Sequence, residues 1–199
     1  MLADGFHDVP KGRVAAVVTH LEMLSPAEVS LADLPEGLSF QRIETPEVDW
    51  YLRLFRRVGA EDWLWFSRLR MERSKLDAIL HDPAVEVYSL RHGDEDLGLL
   101  ELDFREGDAC ELAFFGLARE LIGQGLGRFL MAQAITRAWA QPIRRFHVHT
   151  CTLDSPQALG FYIKSGFTAV RQEIEIALDP RIEGLIDRSA APQIPLFED

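Results

Sequence analysis

Three glycines alternate in Ile122-Gly123-Gln124-Gly125-Leu126-Gly127, just before an amphipathic run that reaches Trp139. Glycine leaves a backbone bare of side chains. The first N–H groups of a helix have no intrahelical partner and sit at the positive end of its dipole. Bare amides at such a place bind phosphate. Upstream, Glu111 leads an apolar stretch, Leu112 to Leu117, that reads as a strand bringing a carboxylate into the same neighbourhood. A phosphate cradle beside a general base suits an enzyme that uses a phosphorylated cofactor.

The spacing excludes two familiar cradles. A dinucleotide fingerprint, Gly-x-Gly-x-x-Gly, needs its third glycine where Arg128 stands, one place after Gly127. A P-loop started at Gly123 again meets Arg128, and no Lys-Ser/Thr follows. The plain alternative is a tight strand-to-helix turn whose glycines only permit close packing.

Further along, Arg145 to Thr150 reads as a strand, and Asp154-Ser155-Pro156 as a helix start with Ser155 as N-cap and Pro156 at the first position. Ala158, Leu159, Tyr162 and Ile163 then fall on one face, Gly166 is a natural stop, and Phe167 begins another strand. This succession resembles the GNAT superfamily of acyl-coenzyme A-dependent N-acyltransferases. That family's pyrophosphate loop, Arg/Gln-Gly-x-Gly-x-Gly/Ala, is matched by Ile122 to Gly127. Its last helix, Asn-x-x-Ala-x-x-x-Tyr-x-x-x-Gly-Phe, is matched by Ser155, Ala158, Tyr162, Gly166 and Phe167. Two residues depart from the pattern, Ile122 for the usual Arg or Gln and Ser155 for the usual Asn.

The resemblance implies an α+β fold: a mixed, mostly antiparallel sheet of six to seven strands, splayed between the family's fourth and fifth strands, with about four helices on its faces. It implies acetyl-coenzyme A as acyl donor and no metal. The donor would lie on Ile122, Gly123, Gln124, Gly125, Leu126, Gly127 and Arg128, with its pantetheine arm along Phe115 and Leu117 and near Ser155. The implied reaction is direct attack, in a ternary complex, by a primary amine of a small molecule or peptide. Glu111, six residues before Leu117, is the expected general base and Tyr162 the expected acid toward the departing thiolate. An exposed glutamate titrates near ~4.3, so burial would have to raise Glu111 for that task. Glu101 and His149 stand in reserve as bases. A catalytically silent acyl-coenzyme A sensor or assembly module is the alternative.

His147, His149 and Cys151 alternate, so a strand would set them on one face, where spacing alone allows a metal site or a Cys–His nucleophile. Neither is expected, for want of a fourth ligand and because Cys is often simply buried. Trp63, Trp65 and Phe66, beside Glu61 and Asp62, are either core or the wall of an amine pocket.

These residues need positioning elements. Strands are expected at Val14–Met23, Leu38–Ile43, Val85–Leu90, Leu97–Phe104, Glu111–Leu117 and from Phe167. Helices are expected from Thr45-Pro46 to about Val58 with Gly59 as stop, up to about His81, and after the two motifs above. Ser25 to Gly37 reads as a connector with one short helical turn. The chain divides into an N-terminal strand and connector over 1–37, an acetyltransferase domain over 38–180, and a tail over 181–199 that wraps the domain or joins a partner. A homodimer is compatible with this layout.

At 199 residues, one core suffices. The net charge of −11 argues against nucleic acid and suits cationic small molecules, though acidity also serves solubility. No apolar run is long enough for a bilayer, and the first residues lack a basic start and an apolar h-region. Two cysteines without such a leader point to a reducing compartment. A cytoplasmic location, away from membranes, is the expectation.

Overall fold

The structure, a computed structural model, describes residues 3–30 and 33–198. One mixed sheet of seven strands organises them, in the order β2-β3-β4-β5-β6-β1-β7. The strands are β1 (Arg13–Met23), β2 (Leu38–Arg42), β3 (Val85–His92), β4 (Glu95–Asp103), β5 (Ala109–Leu117), β6 (Arg145–Cys151) and β7 (Thr168–Leu178). Only β5 and β6 run parallel; every other neighbouring pair is antiparallel. The fold is α+β, as the motifs led us to expect.

Helices α1 (Val48–Phe55) and α2 (Arg73–Leu80) cover one face of the β3–β5 half, where Tyr51, Phe55 and Leu76 pack on Val87 and Leu99. Helices α3 (Leu126–Ala138) and α4 (Ala158–Lys164) cover the other face, around Leu100, Leu112, Phe146 and Val148. β1 lies between β6 and β7, and it buries opposite faces at its two ends. Val14 and Ala16 pack with Leu153, whereas Leu21 and Met23 join the main core.

Two helix boundaries differ from the sequence reading. Gly59 does not stop α1: the chain continues through a π-helical turn, Arg56–Ala60, into a short turn at Glu61–Trp63. Its role is space, because a Cβ on Gly59 would lie 2.0 Å from Cδ2 of Trp65. Ser155 is not the N-cap of α4 and Pro156 is not its first residue. Ser155 to Gln157 form a turn in which the Ala158 amide donates to the Ser155 carbonyl at 2.8 Å, and Gln157 is the N-cap. The face of α4 also differs: Leu159 and Ile163 are exposed, while Ala158, Phe161 and Tyr162 meet the core. The end of the helix is as expected, with Gly166 at φ +103° just after the C-cap Ser165.

Ser25 to Ser30 and Asp33 to Gly37 hold no helix; the remainder of that connector lies outside the described residues. The tail wraps back on the domain. Arg56 Nη1 donates to the Leu185 carbonyl (2.8 Å), the Ala191 amide to Glu61 O (2.8 Å) and Gln193 Nε2 to Asp62 O (2.7 Å).

The Gly59–Trp65 contact is directly testable. Gly59→Ala should destabilise by about 1–3 kcal/mol through overpacking, read as a lower denaturant midpoint with an unchanged m-value.

Candidate functional site

The site begins where the sheet stops pairing. β5 and β6 are hydrogen-bonded only over Ala109–Glu111 and Arg145–His147, after which they part. On its other side β5 stays paired with β4 as far as Leu117, with a bulge: Leu102 opposes Leu112 and Glu101 opposes Phe114, leaving Ala113 as the extra residue. The backbone of β5 beyond Glu111 therefore has a partner strand on one side alone. A cavity of about 360 Å³ fills the gap, and Phe115, Leu117, His149 and Tyr162 all line it.

At one end the cavity reaches Ile122 and Gly127. Gly123 and Gly125 have φ of +85° and +82°, the left-handed region that favours glycine, and Gly125 is the N-cap of α3. Among the described residues, no backbone carbonyl takes the amides of Gly123, Gln124, Gly125, Leu126 or Gly127. Arg128 is exposed beside them, its Nη2 3.5 Å from where a Cβ on Gly125 would stand. Five amides at the start of a thirteen-residue helix, with a guanidinium alongside, fit an anion such as a pyrophosphate. Ile122 is exposed and adds no polar group, so this cradle rests on backbone.

Glu111 and His149 face each other where the strands part, with Oε1 3.4 Å from Nδ1. The His149 imidazole holds the Glu111 carboxyl below its ordinary value, against the upward push of burial. The expectation that burial raises Glu111 is thus reversed. Glu111 in turn holds His149 above the ordinary imidazole value, against burial. It is His149, not Glu111, that lines the cavity.

Tyr162 is buried, and its hydroxyl has no hydrogen-bond partner among the described residues. Burial, and then the charge of Asp154, raise its pKa, which keeps the phenol protonated. Ser155 also lines the cavity. Glu101 does not reach it. This fully buried carboxylate accepts from the Tyr51 hydroxyl and the Arg68 guanidinium on the α1 side of the sheet, which removes it as a base. His147 pairs with Glu106 at 2.8 Å, and burial pushes the Cys151 thiol up to about 11, an inert thiol rather than a nucleophile. Among the described residues, no group of three or more His, Cys, Asp or Glu is arranged to hold a metal.

Trp63, Trp65 and Phe66 line the far end of the cavity. Trp65 packs against Phe55 and Phe114, both at 5.5 Å between ring centroids, and donates from Nε1 to Asp154 Oδ1 at 2.9 Å. The second Asp154 oxygen accepts from the Thr150 hydroxyl (2.7 Å) and the Cys151 amide (2.9 Å). One carboxylate thereby ties the aromatic loop to the β6–α4 turn. The sequence reading took Asp154 as part of a helix start, and only three-dimensional proximity reveals this link. Glu175 and Val18, also on the cavity, come from strands whose pairing is equally long-range.

The sequence model of the Acetyltransferase (GNAT) family matches residues 48–167. The chain belongs to the GNAT family. Solved acetyltransferases share the fold at low identity. A GCN5-related N-acetyltransferase from Kribbella flavida is 15% identical with a TM-score of 0.53, over 85% of this chain and 60% of that one. One from Sphaerobacter thermophilus is 12% identical with a TM-score of 0.58, over 82% and 51%. An aminoglycoside acetyltransferase from an uncultured soil metagenomic sample is 16% identical with a TM-score of 0.54, over 72% and 96%. This GNAT chain thus spans little more than half the length of the first two. No curated protein matches it. Among its described residues, no helix is long and apolar enough to cross a membrane.

In this GNAT site the Glu111–His149 pair has a defined pH signature. The contribution of Glu111 is present above its ordinary 4.5 and is lost as pH falls through its lowered folded value. That of His149 is complete below its ordinary 6.5 and is lost as pH rises through its raised folded value. Glu111→Gln should return the imidazole midpoint toward 6.5, measured by NMR titration of the His149 ring. The stability gap between wild type and Glu111→Gln should be widest between pH 4.5 and 6.5 and close above it.

Proposed function

We propose that this protein transfers an acetyl group from acetyl-coenzyme A to a primary amine, with both held together in the cavity. The observation that supports this best is continuity. One cavity touches the glycine cradle at Gly127, the unpaired side of β5 at Phe115 and Leu117, and a histidine backed by a carboxylate.

Gly123 to Gly127 and Arg128 would hold the phosphates of the donor, and the open backbone of Phe115 and Leu117 would align its amide-bearing arm, with Ser155 at the lip. The donor, when bound, supplies an acyl thioester. His149, kept basic by Glu111, takes the proton that the attacking ammonium must lose. We therefore assign Glu111 as the counter-charge that tunes His149 and His149 as the base in contact with the cavity. Tyr162 Oη, held protonated by burial, is the proton source for the departing sulfur. The ammonium loses one proton to the imidazole and attacks; after its nitrogen bonds the acetyl carbon, a second proton leaves nitrogen and restores the phenol of Tyr162, whose own proton departs with the sulfur.

Coenzyme A should raise the thermal midpoint, since a ligand specific to the folded state at a hundredfold excess over its Kd adds about 2.7 kcal/mol. Gly125→Asp should abolish that response, because it puts a side chain and a negative charge into the cradle. A response to ATP or NAD in place of coenzyme A overturns the reading. Tyr162→Phe keeps the ring and removes the hydroxyl, so donor binding should persist while kcat falls ~10²-fold. Unchanged turnover would make Tyr162 a packing residue only.

A further inference from the structure

The chemistry of the acceptor end of the cavity is narrower than the term amine conveys. Its walls are Trp63, Phe66, Leu153 and Val18, together with the ring of Trp65. Three charged groups lie on the lining, and a fourth, the Arg70 guanidinium, sits 4.3 Å over the ring of Phe66. His149 is paired with Glu111, and both oxygens of Asp154 are taken by Trp65, Thr150 and Cys151. Glu175 is different. It stands on β7 opposite Ala16 of β1, lines the cavity, and has no hydrogen bond or ion pair among the described residues. Its neighbour on the strand, Glu173, is bound to His20 at 2.6 Å and to Arg171 at 2.8 Å. The charge of Glu175 nonetheless reaches His149, where it helps to raise the imidazole.

Resting on the proposed transfer reaction, we infer that the acceptor is a small primary amine with a single cationic centre on an aromatic or otherwise flat apolar body. Glu175 draws in its ammonium and passes it to His149, while the ring of Trp63 holds its body beside Phe66, which already carries the Arg70 guanidinium on one face. A cation close to ring faces gains from their quadrupoles, and apolar area leaves water against the same walls. Size points the same way. About 360 Å³ must hold both the acyl arm and the acceptor, near the lower end of the range for small-molecule sites. A polyamine would have one carboxylate to meet and further ammonium groups left against indole and phenyl walls, where an unpaired charge is costly. The specificity determinants are therefore Glu175 for charge and Trp63 with Phe66 for shape.

The test uses the full chain with acetyl-coenzyme A and three probe acceptors: 2-phenylethylamine, spermidine and a short lysine-containing peptide. Release of free thiol gives kcat/KM for each, and equilibrium binding of each probe is measured in the presence of coenzyme A. We expect 2-phenylethylamine to exceed spermidine by roughly a hundredfold in kcat/KM, with the peptide also behind. Glu175→Gln should raise the KM for 2-phenylethylamine by about three- to tenfold and leave coenzyme A affinity unchanged. Trp63→Ala should erase most of the preference among probes. Equal or better use of spermidine or the peptide overturns the inference while leaving acetyl transfer intact, as does a Glu175→Gln variant with unaltered KM. Transfer to none of the probes, with the same order of binding, overturns the reaction and keeps the ligand class; no transfer and no binding preference overturns both.

Discussion

The rest of the site depends on a pairing that the sheet gives up. β5 and β6 share hydrogen bonds over three residues and then separate, although the backbone of each continues as strand. Unpaired N–H and C=O groups inside a protein are costly unless something satisfies them. Here the opening is stabilised from outside the pair. β4 keeps β5 straight on its far side, the Ala113 bulge adjusts the strand, and β1 keeps β6 paired along Phe146 to Cys151. Each separated strand has a firm neighbour, so the gap between them can stand open. An extended ligand with amide groups is the natural complement of such a gap.

A second constraint closes the gap's far end. Trp65 fits between two glycine backbones. A Cβ on Gly59 would meet its ring at 2.0 Å, and one on Gly116 would meet Cη2 at 3.0 Å. The chain arrives there through a π-helical turn and through Leu64 at φ +53°, a left-handed conformation that costs a non-glycine residue about 1–2 kcal/mol. Burial of Leu64 with Ile186, Ala190 and Ala191 of the tail offsets that strain. The tail acts on the site at one remove: it holds the loop, the loop holds Trp65, and Trp65 holds Asp154.

This division explains what was legible in the sequence. Local chemistry was: the glycine turn at Gly123 and Gly125 and the stop at Gly166 after α4 are written in short stretches of residues. The strands β1 and β3 to β6 followed from their apolar patterns within a residue or two at most ends. Long-range facts were not. That β1 would lie between β6 and β7, that Gly59 would serve Trp65 rather than end a helix, and that Asp154 would accept from an indole 89 positions away are consequences of packing. The role of Glu101 was misjudged for the same reason, since no local pattern tells a buried ion pair with Arg68 from an accessible base. His149 lay between these cases: its alternation with His147 and Cys151 placed it on the open face, but its partner Glu111 is brought beside it by the parallel pairing of β5 and β6.

The net charge of −11 conveys little about how the cavity is polarised, because most charges near it neutralise one another. Arg57 is held by Glu95 and Glu120, Arg119 by Asp62, and His147 by Glu106. Arg128 beside the glycine cradle and Glu175 on the cavity lining stand apart, since the side chain of neither has a hydrogen bond or ion pair among the described residues. Their signs match the two ligands the site would have to bring together. A guanidinium and a helix N-terminus attract the phosphates of a donor, while a carboxylate and aromatic rings attract an ammonium. His149 also lines the cavity, and its proton affinity is raised by a carboxylate on the neighbouring strand, which suits it to the proton-accepting role proposed above.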